Sequence, residues 1–402
     1  MPKELKIPSP KGFLFSAAKV GIKYPDKKPI RKDMALIYSE REAAVAGTFT
    51  TNKVKGAPVR LCIERIKSGR ARAIVMNSGN SNDATGARGL KDAREMAYIA
   101  AKSLGIDERL VYVSSTGVIG VPLPMQRIRP GVAGLVATLG SSGPLGAAEA
   151  IMTTDTFPKF LWKKLSIGGK TGTILGIAKG AGMIAPKMGT MLCFIMTDLA
   201  IRKDALRKAL REAVERSFNR ITIDGDMSPS DTAIVMANGM AENPPITSGS
   251  NDYRAFGDAL GEITYGLSKM IVMDGEGATK VIEVQVRGAK TEKDALKAAF
   301  SVANSSLVKT AVYGNDINWG RVITALGYSG ADMVEEKIDI YFGKVKLVRN
   351  GISTGREKEG EAELKKKEVR IAADLHMGKA RASVLTCDLT EEYVRVNAEY
   401  RT

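Results

Sequence analysis

The chain has 402 residues, of which 44% are hydrophobic and 26% are charged. These proportions are typical of globular proteins and exclude disordered, collagen-like and coiled-coil chains. Lysine and arginine number 60 against 44 aspartates and glutamates, which gives a formal charge of +16. Such a surplus suits anionic ligands or simply a solubilising surface. The length predicts two domains or one large intertwined domain.

The single histidine, His376, limits the chemistry that this chain can perform. One histidine cannot build a His-rich metal site, and it is the only candidate base for a Ser-His-Asp triad. Cys62, Cys193 and Cys387 are far apart and form no CxxC pair, so the sequence predicts neither a metal site nor a disulfide framework. We expect a cytoplasmic protein with no membrane association, because neither a signal peptide nor an apolar run of about 18 residues is present.

Helical and strand-like patterns alternate along the chain, which predicts an α/β or α+β fold. The predicted elements, in chain order, are strand 71–76, helix 92–104, strand 110–113, helix 206–218, helix 253–271, strand 281–287, helix 294–303 with Thr291 as N-cap, and a hairpin over 338–348. Polar turn formers follow the first two strands, over 77–83 and 114–117. The basic run 365–367 is flanked by glutamates and is predicted to be solvated.

A glycine-rich loop over 179–189 leads into Thr190, at the start of the apolar segment 191–198. Thr190 is either a strand residue chosen for its β-propensity or a nucleophile. The second interpretation needs no histidine, because a free α-amine with a pKa of about 8 can serve as base for the hydroxyl of the same residue. It requires cleavage of the Gly189–Thr190 bond, through attack of the threonine hydroxyl on the carbonyl of Gly189.

Motifs across nearly the whole chain resemble the ornithine acetyltransferase family, also called glutamate N-acetyltransferases. The segment 179–198, KGAGMIAPKMGTMLCFIMTD, is similar to the self-cleavage segment of that family. Further matching motifs occur in the family's order, at residues 47–52, 77–80, 115–120, 152–156, 221–226, 274–280, 307–311, 318–321 and 397–402. Ala185, Lys187 and Gly189 stand where the family typically has His, Asn and Ala.

The resemblance implies a self-cleaving, N-terminal-nucleophile-type acetyltransferase fold with helices packed around mixed sheets. Cleavage between Gly189 and Thr190 would yield an alpha chain of 1–189 and a beta chain of 190–402, assembled as α2β2. Thr190 would then take the acetyl group from N2-acetylornithine and pass it to glutamate in the cyclic arginine biosynthesis pathway. The implied oxyanion-hole pair is Thr116 and Gly117, and the implied substrate-binding residues are Thr153, Lys179, Thr190, Glu276, Asn397 and Thr402.

Physical chemistry agrees with these implied roles. A tetrahedral intermediate needs hydrogen-bond donors, which Thr116 and Gly117 can supply. Lys179 suits a substrate carboxylate and Glu276 suits the amine of ornithine, although spacing alone would make them a solvated loop charge and a turn residue. We expect no cofactor, with acetyl-CoA as a possible co-substrate. His376 lies outside every matching motif and receives no catalytic role.

Two other functions are compatible with parts of the sequence. A self-processing aminopeptidase or amidohydrolase would differ only in letting water intercept the acyl-enzyme. A nucleic-acid-binding protein would account for the +16 charge, but aromatic residues are only 6% and no nucleic-acid-binding motif is present. We therefore expect no nucleic acid among the partners.

Overall fold

The computed structural model describes residues 7–23, 31–185 and 191–399. Its strands form two mixed sheets, the first in the order β4-β3-β2-β8-β7-β6-β5, with β1 paired to β2. The strands of the first sheet are β1 (Phe13–Ala18), β2 (Met34–Phe49), β3 (Arg70–Asn80), β4 (Val111–Val118), β5 (Lys159–Ile167), β6 (Lys170–Lys179), β7 (Leu192–Thr197) and β8 (Thr232–Ala237). Within this sheet β3 runs parallel to β4, and β7 runs parallel to β8.

The second sheet contains residues from the last third of the chain, in the order β12-β11-β10-β13-β9-β14. Its strands are β9 (Val281–Ala289), β10 (Asp339–Phe342), β11 (Val345–Arg349), β12 (Ile352–Ser353), β13 (Glu368–Asp374) and β14 (Ala380–Cys387). The helices are α1 (Ala57–Arg65), α2 (Gly86–Leu104), α3 (Met125–Ala137), α4 (Pro144–Ala150), α5 (Lys203–Glu215), α6 (Asn251–Met273), α7 (Glu292–Asn304), α8 (Ser306–Tyr313), α9 (Trp319–Gly327), α10 (Glu357–Leu364) and α11 (Glu391–Glu399).

Alternation along the buried strands separates the core of the first sheet into two sides. Cys193 and Ile195 of β7 belong to the apolar cluster that includes the inner faces of α5 and α6. Their neighbours Leu192 and Phe194 point the opposite way, into the cluster that includes α4. The second sheet has a separate core against α7, α8 and α9. Both sheets are therefore covered by helices, which confirms the predicted mixed α/β architecture.

Most predicted elements are present, with different boundaries. The helix predicted over 92–104 begins earlier, at Gly86, and ends at Leu104 as predicted, followed by Gly105, whose φ of +65° suits a glycine cap. The helix predicted over 206–218 ends at Glu215, before Phe218. Thr291 caps its helix by accepting a hydrogen bond from the amide of Asp294, as predicted. The run 365–367 is exposed, as predicted.

The largest difference concerns the two strands that were predicted to stop at polar residues. β3 continues to Asn80 and β4 continues to Val118, so Thr116 and Gly117 lie within β4 rather than after it. These strands continue through polar residues because the polar side chains find hydrogen-bond partners inside the protein. The Ser115 hydroxyl, for example, donates to the Asn77 side chain at 2.7 Å.

Candidate active site

One cleft of about 660 Å³ brings together most of the residues that the resemblance implied. Its lining includes Thr116, Gly117, Thr153, Lys179, Glu276 and Asn397. These residues lie on β4, on the loop after α4, at the end of β6, after α6 and on α11. Gly189, Thr190 and Thr402 lie outside the described residues, so their predicted roles stay predictions. The cleft receives side chains from both sides of the predicted cleavage point.

Gly117 occupies a backbone position that excludes every other residue. Its φ is +129°, and a Cβ atom there would come within 2.3 Å of the backbone of Gly79 on the paired strand β3. The adjacent Thr116 is 1% exposed. Strands β3 and β4 shift register at this point, where Asn80 pairs with both Thr116 and Val118. Thr116 and Gly117 both line the cleft, which is the location that the implied oxyanion hole requires.

Lys179 is buried rather than solvated, which overturns the expectation from spacing alone. It is 2% exposed, and its ammonium donates to the Thr153 hydroxyl at 2.7 Å. The nearest carboxylate oxygen, on Asp155, is 3.8 Å away. Burial lowers the pKa of Lys179 from its ordinary value, and the charge of Asp155 partly offsets that effect. Among the residues that the structure describes, the Lys179 ammonium donates a hydrogen bond only to this hydroxyl, and such a buried cation is well suited to receive a ligand carboxylate.

Glu276 also lines the cleft, in the loop that follows α6. Its carboxylate accepts a hydrogen bond from the Asn397 side chain of α11 at 2.8 Å. Its amide donates to the carbonyl of Ala181 at 2.8 Å, which joins this loop to the glycine-rich segment. A Cβ at Gly182 would lie within 2.3 Å of the Glu276 carboxylate, so a larger residue there would displace it. In the described part of the chain, Glu276 is thus one of four carboxylic acids that line the cleft, with Asp83, Asp224 and Asp226.

The segments on either side of the predicted cleavage point are each anchored by an aspartate. The amide of Met191 donates to Asp231 at 2.9 Å, and the amides of Met183 and Ile184 donate to Asp224. Burial raises the pKa of Asp231 well above its usual range. These contacts fix the described ends of the loop that carries Thr190 in the sequence.

Asp83 is another acid of the cleft that sequence reasoning did not select. Burial raises its pKa to about 6, despite a 2.7 Å hydrogen bond from the Ser230 hydroxyl. That bond joins the segment after β3 to the segment before β8. Asp83 lies next to the predicted motif 77–80, but nothing in its spacing indicates a buried carboxyl.

A buried ionic cluster beneath the cleft was also missed. The ammonium of Lys159 contacts Asp155 at 2.7 Å and Asp274 at 2.5 Å, and all three side chains are at most 2% exposed. Asp155 and Asp274 belong to the motifs 152–156 and 274–280, whereas Lys159 belongs to none. No pattern in the sequence indicates that β5 would place a lysine between two acids from distant segments.

The remaining sequence candidates lie away from the cleft. His376 contacts Asp339 at 3.2 Å on the second sheet and is not among the residues that line the cleft. Cys62, Cys193 and Cys387 are buried free thiols. Over the ranges that the structure describes, no cluster of three or more His, Cys, Asp or Glu could hold a metal ion. No helix in those same ranges is long and apolar enough to cross a membrane.

Comparisons with known proteins identify the family to which nearly the whole chain is similar. The model of the ArgJ family matches residues 14–402. The arginine biosynthesis bifunctional protein ArgJ of Geobacter sulfurreducens is 53% identical over 394 residues, which cover 98% of this chain and 99% of the relative. The protein of the same name from Symbiobacterium thermophilum is 51% identical over 397 residues, covering 98% of each.

A solved structure gives a further comparison. The arginine biosynthesis bifunctional protein ArgJ from Bacillus halodurans is 44% identical, with a TM-score of 0.50. The match covers 52% of this chain and 98% of the solved chain.

Proposed function

Because this chain belongs to the ArgJ family, we propose that it transfers the acetyl group of N2-acetylornithine to glutamate through an acetyl-Thr190 intermediate. Family membership confirms the resemblance found in the sequence and favours acetyl transfer over the aminopeptidase and nucleic-acid alternatives. The observation that carries the proposal is the meeting of six implied residues in one cleft. The direct substrates are N2-acetylornithine and glutamate, and the transfer uses no cofactor.

The proposed reaction proceeds in two half-reactions that share the acetyl-Thr190 intermediate. The Thr190 hydroxyl attacks the acetyl carbonyl, and its proton moves to the Thr190 α-amine. The oxyanion that forms is stabilised by the Thr116 hydroxyl and the Gly117 amide. When the carbonyl reforms, the C–N bond to ornithine breaks and the departing amine receives the proton. The amine of glutamate then attacks the acetyl ester and gives a proton to the Thr190 α-amine. The C–O bond to Thr190 breaks, and the α-amine returns that proton to the Thr190 oxygen.

Two groups of opposite charge orient the substrate in the cleft. Lys179 pairs with the carboxylate that acetylornithine and glutamate share, with the Thr153 hydroxyl beside it. Glu276, held by Asn397, pairs with the side-chain amine that only the ornithine substrate carries. Thr402 is proposed as a further substrate-binding residue on the strength of the matching C-terminal motif. In this proposal each end of acetylornithine has a partner of opposite charge, which the presence of Lys179 and Glu276 in one cleft supports.

Activation is proposed to require cleavage into an alpha chain of 1–189 and a beta chain of 190–402. Cleavage frees the α-amine of Thr190, which is otherwise part of a peptide bond and cannot act as a base. The solved chain of the relative matches about half of this chain, judged from the shares covered, and this length supports a cut near the middle. Strands β6 and β7 pair across the cut, so the two chains remain one sheet. We propose an α2β2 assembly in the cytoplasm.

The experiment combines a mass measurement with a transfer assay. Intact-mass analysis and N-terminal sequencing should find two chains, the second beginning at Thr190. N2-acetylornithine labelled in the acetyl group should give labelled N-acetylglutamate, and a parallel reaction with acetyl-CoA tests it as a second donor. Release of free labelled acetate in place of N-acetylglutamate would instead establish the hydrolase alternative.

A further inference from the structure

The buried charges beneath the cleft form a balanced set of two lysines and two aspartates. They are Lys159 at the start of β5, Asp155 before it, Asp274 after α6 and Lys179 at the end of β6. Each side chain is at most 2% exposed. Charges buried to this extent need partners, because water is not available to solvate them. Their arrangement therefore determines which of the charges remains available to a ligand.

Asp155 is shared unequally between the two lysines. Its Oδ1 contacts Lys159 at 2.7 Å and accepts the amide of Gly180 at 2.7 Å. Its Oδ2 accepts the amide of Thr153 at 2.9 Å and lies 3.8 Å from Lys179, beyond hydrogen-bond distance. Lys159 thus takes the close ion pair, and Lys179 keeps only a distant one.

Asp274 completes the cluster from the other side of the predicted cleavage point. It contacts Lys159 at 2.5 Å and accepts the amide of Thr156 at 3.0 Å. Asp274 lies two residues before Glu276, so Lys159 is connected both to the Lys179 end and to the Glu276 end of the cleft. Lys159 itself is not among the residues that line the cleft.

We propose that Lys159 is a positioning residue for substrate binding: by holding Asp155, it leaves the ammonium of Lys179 available for the carboxylate of both substrates. This inference rests on the proposed function. Among the described residues, Lys159 and Lys179 are the cations near the Asp155 carboxylate. Without Lys159, the Asp155 carboxylate would attract the Lys179 ammonium alone, and these two groups would move closer together. The substrate carboxylate would then compete with an internal carboxylate for Lys179.

The test is steady-state kinetics of Lys159→Met, which keeps the length of the side chain without its charge. We expect KM for both N2-acetylornithine and glutamate to rise about tenfold, with kcat changed less than about threefold, as the loss of a binding interaction predicts. Lys163→Met is the matched control. Lys163 lies four residues along β5 and pairs with Glu262 of α6, but this pair is exposed. The KM values of Lys163→Met for both substrates should equal those of the unmodified protein.

A second readout separates positioning from a merely structural role. The charged groups acting on Lys179 are Asp155, Lys159, Glu276 and Asp231, and the like charge of Lys159 helps to lower its pKa. Removing Lys159 should therefore raise the pKa of Lys179. The alkaline limb of kcat/KM should move to higher pH in Lys159→Met, and in Lys163→Met it should not move.

The double variant Lys159→Met, Asp274→Asn restores a balanced set of one lysine and one aspartate. It should fold at least as well as the single variant and still show the raised KM values, so it decides the question if the single variant does not accumulate. KM values within twofold of the unmodified protein in either variant, or an alkaline limb that does not move, would overturn the inference. Absence of transfer in the unmodified protein would instead overturn the proposed function.

Discussion

Two clusters of lysine and aspartate in this protein differ in burial and therefore in what they can do. In the first cluster, Lys159, Asp155, Asp274 and Lys179, every side chain is at most 2% exposed, and Lys179 lines the cleft. The cluster on the second sheet joins Asp339 to Lys346 at 2.7 Å and to His376 at 3.2 Å, with Lys346 25% and His376 49% exposed. Water can replace any partner in the second cluster but none in the first.

The difference teaches that charge type alone does not separate a functional ion from a stabilising one. Both clusters pair lysine with aspartate, and the exposed one adds His376. Only the buried cluster includes a residue that lines the cleft, Lys179, which is the proposed partner of the substrate carboxylate. The second cluster should affect stability and leave transfer unchanged.

The largest expected effect lies at Thr190. Thr190→Ala should remain one uncut chain with no detectable transfer, because the hydroxyl serves both cleavage and catalysis. Thr190→Ser retains a hydroxyl and should keep partial processing. Gel electrophoresis and the labelled-acetyl assay measure both properties. Efficient cutting of the alanine variant would contradict the proposed chemistry.

The next effect concerns the oxyanion hole. In Gly117→Ala the new Cβ would meet the Gly79 backbone at 2.3 Å, so the strand end must move. Loss of one oxyanion donor typically lowers the rate by about 10²–10³-fold, and we expect a fall in kcat of that size. Gly120→Ala is the control, since Gly120 also has a positive φ, of +79°, but has open space around it. Equal activity losses in the two variants would mean that backbone strain, rather than donor position, is responsible.

The next prediction concerns the loss of the Lys179 charge, which is proposed to contact the substrate carboxylate directly. Lys179→Met removes one charge-assisted contact to substrate, and kcat/KM should fall about 10- to 100-fold for both substrates, since such contacts are worth roughly 1.5–3 kcal/mol. The measurement is kcat/KM for N2-acetylornithine and for glutamate separately. A loss confined to one substrate would contradict a shared carboxylate site.

The second cluster should respond to pH through stability alone. The pKa of Asp339 is lowered to about 2. Burial by itself would raise this pKa, but hydrogen bonds from Lys346, Asn350 and His376 lower it by more than burial raises it. A depressed folded-state pKa stabilises the protein above the ordinary value of about 4, and this stabilisation is lost as the pH falls toward 2.

Asp339→Asn should therefore lower the free energy of unfolding at pH 7 by up to about 2 kcal/mol, and the difference from the unmodified protein should narrow below about pH 4. Urea unfolding at several pH values measures this difference. Transfer at pH 7 should be unchanged in Asp339→Asn and in His376→Ala. Reduced transfer by folded His376→Ala would contradict the assignment of that residue to the stabilising cluster.

The smallest effect belongs to the exposed pair on β5. Lys163→Met removes the ion pair between Lys163 and Glu262, in which the lysine side chain is 40% exposed and the glutamate side chain is 63% exposed. Exposed pairs contribute about 0–1 kcal/mol, so the midpoint of unfolding should hardly change. Thermal unfolding of Lys163→Met beside Lys159→Met measures the contrast. If the midpoint of unfolding shifts as much in Lys163→Met as in Lys159→Met, then burial does not determine how much each lysine contributes to stability.

The sequence predicted the α/β architecture and most helices, because apolar periodicity reports the face that an element buries. The predicted ends of β3 and β4 came too early. Polar residues at these ends form hydrogen bonds with residues from other segments, and a local sequence pattern does not reveal such partners. The site residues were predicted from matching motifs rather than from spacing, which assigned Lys179 to solvent. Lys159 could not be found, since its two acids come from segments more than a hundred residues apart.

The most direct test of the account is the intact mass of the protein after exposure to N2-acetylornithine without glutamate. The account predicts two chains, with the chain that begins at Thr190 heavier by one acetyl group, located on Thr190 by fragmentation. Addition of glutamate should remove that acetyl group. An active protein that remains one continuous chain, or an acetyl group on any other residue, would contradict the central claim.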